Sequence, residues 1–109
     1  MGVTKTSLYT EEQNQMATMI KAMGHPARIA ILQHLLKAEE CMNSDLVQEL
    51  GLAQATVSQH LKALKEVDII QGSVEGTSMC YCINTSTWNS LKNKINLFFE
   101  QLPNCCKSC

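Results

Sequence analysis

Residues Gln54–Val67, QATVSQHLKALKEV, decide the fold. Val57, Leu61 and Leu64 recur at i, i+4 and i+7, which is one apolar stripe of a helix. The opposite face carries Gln54, Thr56, Ser58, Gln59 and Lys62. These are short amides, hydroxyls and one amine, not the Glu/Lys mixture of an ordinary wet face. Such side chains bond base edges and phosphates in a major groove. A merely solvated face is the plain alternative, and the preceding residues weigh against it. Asn43–Leu50 reads as a short helical run, Gly51 stops it, and Leu52-Ala53 turns the chain into the next helix. A helix, a tight glycine turn and a second helix with a polar leading face make a helix-turn-helix.

The chain has 109 residues, the size of one domain, and 45% of them are hydrophobic. That allows a small core, which oligomerisation would help. The formal net charge is -1, with a single arginine, Arg28, and eight lysines. A generally basic protein is excluded, so any DNA binding must come from a local patch. No apolar run approaches membrane-spanning length and no signal layout opens the chain, so the expected location is the cytoplasm, with no membrane partner. Six cysteines there point to metal binding, redox chemistry or plain burial rather than a disulfide framework.

Outward from the decisive stretch, Met1–Tyr9 is polar and reads as a frayed end. Thr10, Glu11 and Glu12 start a helix whose stripe is Met16, Met19, Ile20 and Met23, and Gly24 ends it. That stripe suits either the core or a soft partner surface. His25-Pro26 opens the second helix, with Ala27, Ile31, Leu32, Leu35 and Leu36 as its buried side. Asn43 or Ser44 caps the third, where Leu46, Val47 and Leu50 face inward. Ala53 has no side-chain oxygen to cap the fourth, so packing must hold that start.

After Val67 the period changes to that of strands. Asp68–Val74 and Ser78–Ile83 read as a hairpin turning at Glu75-Gly76-Thr77, which behind a helix-turn-helix is a wing. The tip carries Glu75 and no basic residue, which predicts weak wing contact with DNA. Asn84 or Thr85 caps a last helix. Trp88, Leu91, Ile95, Phe98 and Leu102 follow in steps of three and four, with Phe99 beside them, and Pro103 ends it. That seam is too apolar to leave in water.

HPARIAILQHLL, DLVQELGLAQATVSQHLKALKEVDII and GTSMCYCI together resemble the ArsR/SmtB family of bacterial winged-helix metalloregulators, over about residues 11–102. The resemblance implies a mainly α fold of about five helices with a β-hairpin wing. It also implies a homodimer through the first and last helices, repression at operator double-stranded DNA, and release by a metal, metalloid or thiol-directed signal. On this reading Gln54, Thr56, Ser58 and Gln59 face the groove and Lys62 and Lys65 lie nearer phosphate. His60 either packs or touches phosphate.

The chain departs from the family's sensor subgroups. CMNSDLVQEL has only Cys41 where one subgroup carries a Cys-x-Cys-x-x-Cys-like set. The last helix has no histidine and only Glu100, unlike zinc sensors. ARIAILQHLL lacks the second-helix cysteine of thiol-redox members. The inducer must therefore be read from this chain's own thiols.

Cys105, Cys106 and Cys109 form a five-residue tail, 105–109, beyond the domain of residues 1–104. Three thiolates around one centre suit the trigonal pyramid of trivalent arsenic or antimony. Soft thiolates also attract Zn, Cd and Cu(I), although zinc usually takes a fourth ligand, which Cys41 or a second tail would supply. Thiol redox or persulfide sensing is a further reading, and no role at all is the plainest. No resident cofactor is required. Cys106-x-x-Cys109 also has the spacing of a redox enzyme, but it follows a helix C-terminus, where the dipole disfavours a thiolate. Cys80 and Cys82 share one strand face and read as small outer residues, opposite Tyr81 and Ile83. Cys41 reads as inert or as an accessory ligand. His25, His34 and His60 are not spaced as ligands, and no catalytic set is recognisable.

Overall fold

A capping box at Thr10 starts the first helix. Thr10 Oγ1 accepts from the Gln13 N–H at 3.0 Å, and the Gln13 side chain accepts from the Thr10 N–H at 2.9 Å. From there the computed structural model, which describes residues 6–38, 45–75 and 78–103, runs α1 (Glu11–Met23), α2 (Pro26–Lys37), α3 (Asp45–Leu50) and α4 (Gln54–Glu66). The hairpin strands β1 (Ile70–Glu75) and β2 (Ser78–Ile83) follow, and α5 (Thr85–Phe99) closes the order. Five α-helices and one antiparallel hairpin among the described residues match the winged helix-turn-helix expected from sequence. Thr6–Leu8, expected to fray, forms a single 3-10 turn.

One cluster holds these elements. Ile31, Leu32 and Leu35 of α2 meet Val57, Leu61 and Leu64 of α4, and Ile69 and Ile70 close the side toward the hairpin. Met19, Met23, Val47, Leu50, Tyr81, Ile83 and Trp88 pack around it. The α1 methionine stripe is therefore split: Met19 and Met23 serve this core, whereas Ile20 is 46% exposed. Leu36, expected inside, is exposed. The buried stripe of α2 is Ile31, Leu32 and Leu35, and one further residue rotates off its edge.

Two left-handed residues shape the turns around α4. Gly51, at φ 65, ends α3. Asp68, at φ 63, follows α4, and the Asp68 and Ile69 N–H groups donate back to the Lys65 and Leu64 carbonyls. That reversal delays β1 to Ile70, two residues later than the sequence pattern suggested. The hairpin pairs Ile70 with Ile83 through to Glu75 with Ser78, so Glu75 belongs to the strand. Tyr81 lies so closely over Gly72 that a Cβ there would sit 3.1 Å from its ring. Cys80 corrects the reading of an outer face: it is buried at 4% exposure. Tyr81 and Ile83 pack on the core from the other face, so at Cys80 the strand is shielded on that side too. The Asn84 N–H bonds the Ile69 carbonyl at 2.9 Å, and Asn84 Oδ1 caps α5 through the Thr87 N–H at 3.4 Å.

A Cβ at Gly51 would meet nothing within 4 Å, so substitution there tests conformation alone. Gly51→Ala should lower unfolding free energy by about 1–2 kcal/mol through the left-handed φ. A denaturant titration giving an unchanged midpoint would show that the turn does not need glycine.

Candidate nucleic-acid interface

The sequence reading of α4 ends within one residue of the observed helix, whose C-cap is Val67. Val57, Leu61 and Leu64 are all buried. Their burial against α2 turns the other side of the helix outward. Gln54, Thr56, Ser58, Gln59, Lys62 and Lys65 are all exposed. By helical spacing Gln59 and Lys62 lie at the middle of this face, with Gln54, Ser58 and Lys65 along one edge and Thr56 along the other. Gln54 Nε2 donates to Ser58 Oγ at 3.2 Å, which presets one edge. Ala55 and Glu66 are exposed on the same side, and the sequence reading did not single them out. A small Ala55 lets a partner approach the middle of the face, while Glu66 puts an acid at its far end.

His60 is placed differently from the other candidates. It is half-buried, and its Nδ1 accepts from Arg28 Nε at 3.1 Å. The His25 ring lies 4.6 Å away, centroid to centroid. Burial, then His25, then Arg28 hold the His60 pKa below its ordinary value. In this protomer the His60 ring packs beside Arg28 and His25. Arg28 was the residue missed. It is the chain's single arginine and stands in the apolar first half of α2, between Ala27 and Ile29, which is the signal that would have found it.

Cys105, Cys106, Cys109 and Cys41 lie outside the described residues, as do Asn43, Ser44, Gly76 and Thr77. Among the described residues no group of three His, Cys, Asp or Glu side chains could hold a metal ion. No helix among them is long and apolar enough to cross a membrane.

Residues 25–71 match the family described as bacterial regulatory protein, arsR family. Transcriptional repressor PagR of Bacillus anthracis is 34% identical over 68 residues, covering 62% of this chain and 68% of that protein. The chain belongs to the ArsR family. The crystal structure of PagR superposes with a TM-score of 0.61 at 30% identity, covering 74% of this chain and 93% of PagR. HTH-type transcriptional repressor SmtB of Mycobacterium tuberculosis is 36% identical over 63 residues, 58% of this chain. The match spans 46% of that protein, less than half its length. The solution structure of the homodimeric winged helix-turn-helix DNA-binding domain Mb0332 from Mycobacterium bovis gives a TM-score of 0.66 at 20% identity. It covers 100% of this chain and 98% of that one, a likeness of fold. Both PagR and SmtB are named transcriptional repressors.

Ala53 sits at the α4 N-cap with no side-chain hydrogen bond, as its chemistry requires. Ala53→Ser should raise stability by about 1 kcal/mol, because the hydroxyl can accept a free N–H of the first turn. Thermal melts showing no gain would mean that this start is already satisfied.

Proposed function

We propose that the chain is a transcriptional repressor that binds operator double-stranded DNA as a homodimer through the outer face of α4. The observation that carries this is the exposed run of amides, hydroxyls and lysines on a helix whose other side is locked into the core. The amides read base edges, and Lys62 and Lys65 neutralise phosphates. Family membership and the repressor names of PagR and SmtB support the reading.

The dimer is proposed to use α1 and α5. Met16 and Ile20 face Leu97 and Phe98 across one groove, and Lys94 Nζ donates to Gln15 Oε1 at 3.2 Å beside it. Phe99 and Leu102 are 68% and 70% exposed, which is costly for an isolated protomer. Leu97 joins this surface and was not part of the seam read from sequence.

Release is proposed to come from trivalent arsenic or antimony held by Cys105, Cys106 and Cys109, with Zn or Cd as the alternative soft ions. The support is the donor set: three thiols close together beyond α5. Because the tail follows in the chain the helix that carries the proposed dimer surface, restraining one would bias the other.

Binding of the chain's own promoter DNA tests the first part. Gln59→Ala should lower discrimination between operator and random duplex by about 1–3 kcal/mol. Lys62→Ala should weaken both alike and reduce the salt slope by about one phosphate. If both variants bind as wild type, α4 does not read DNA. Arsenite added to the complex tests the second part. It should free the DNA from wild type but not from a variant with Ser at 105, 106 and 109, whose operator affinity is otherwise retained. Release from that triple variant would place the inducer elsewhere, and release by peroxide or persulfide alone would replace arsenic with thiol redox.

A further inference from the structure

Arg28 spans three helices. It belongs to α2, its Nη1 donates to the Ala22 carbonyl near the end of α1 at 3.0 Å, and its Nε donates to His60 Nδ1 on α4 at 3.1 Å. Both contacts are half-buried. The guanidinium is suited to this work because its donors diverge in a rigid plane, which one ammonium cannot imitate. One end of the link holds the helix proposed to form the dimer. The other holds the helix proposed to read DNA.

We propose that Arg28 is a positioning residue for the DNA-reading helix, tying α4 to α1 through His60, and that acid opens this tie. The proposal rests on the reading of α4 as the DNA-binding helix.

The chemistry of the tie fixes its direction. His60 Nδ1 can accept only while it carries no proton. Protonation places an N–H against the Arg28 N–H and a second cation beside the guanidinium. Among the described residues the charged and titratable groups acting on His60 are His25, the N-cap of α2, and Arg28 of α2. Through Arg28, α1 contributes an uncharged carbonyl. His25 already spends its Nδ1 on the Ala27 N–H at 3.0 Å, capping α2. Burial and these neighbours lower the His60 pKa from 6.5, so the folded arrangement favours the neutral ring. The tie is therefore complete above that ordinary value and is lost as pH falls below it toward the lowered one.

This sign is diagnostic. Acid ordinarily strengthens DNA binding by adding positive charge. A His60 that touched phosphate would strengthen it further. The tie predicts the reverse.

Fluorescence anisotropy with a promoter duplex, at fixed salt and at about pH 7.5 and about pH 5.5, separates these outcomes. Wild type should lose affinity several-fold at the lower pH, as His60 takes up its proton and the hydrogen bond from Arg28 is lost. Arg28→Lys should be weakened at the higher pH while remaining dimeric by ultracentrifugation, with little further loss in acid. His60→Asn keeps an oxygen near the Nδ1 position and does not titrate, so it should show no loss in acid, its affinity holding or rising as the ordinary gain in positive charge dictates. Wild-type affinity that holds or rises in acid overturns the tie, as does Arg28→Lys binding like wild type. If Arg28→Lys does not fold, His60→Asn decides: an acid loss equal to that of wild type overturns the proposal. Wild type that binds no DNA at the higher pH fails the reading of α4 itself, and the positioning role falls with it.

Discussion

The arrangement depends on the burial of Val57, Leu61 and Leu64 of α4 against Ile31, Leu32 and Leu35 of α2. Each fully buried aliphatic side chain contributes about 1.5–3 kcal/mol, against about 1 kcal/mol for a helix cap. Three such side chains outweigh the cap that Ala53 cannot make. Packing therefore sets where α4 begins and which way it faces. Once that stripe is inside, Gln59 and Lys62 have no course but outward. The turns at Gly51 and Asp68 then serve the packing, since each reverses the chain in one or two residues without pulling α4 off α2.

The same constraint bears on how a chain of net charge -1 would address DNA in the proposed function. The positive charge needed is local. Lys62 and Lys65 stand on the outward face of α4, while the single arginine is spent inside, on Ala22 and His60. The wing adds no cation, and the strand running to Glu75 ends on an acid. In the proposed function, recognition then falls on the amides and hydroxyls of one helix. The surface of α5, with Phe98 and Phe99 rings 5.7 Å apart, answers a different need: a partner to cover it.

Much of this was legible in the sequence because it follows from spacing. The α4 stripe, the glycine turn, the β2 limits and the Asn84 cap are local patterns, and local patterns survive folding. What could not be read lies between elements. Periodicity places Cys80 and Cys82 on the face opposite Tyr81, but only the fold shows that β2 is covered on both sides there. Leu36 has the apolarity of a core residue and lies one position off the buried stripe. His60 sits within the polar phrase of α4, yet its partner, Arg28, is thirty-two residues away in the chain. The thiol tail is legible only as chemistry: three soft donors, whose placement lies outside the described residues.

The central claim is that two copies of α4 meet DNA together, and hydroxyl-radical footprinting of the promoter duplex tests it most directly. The account predicts two protected stretches related by a two-fold axis, their centres about one turn or roughly 34 Å apart. Both should vanish together when Phe98 is replaced by Asp. A single protected stretch, or two that persist in that variant, would contradict the paired arrangement. No protection at all would contradict the DNA-binding account as a whole.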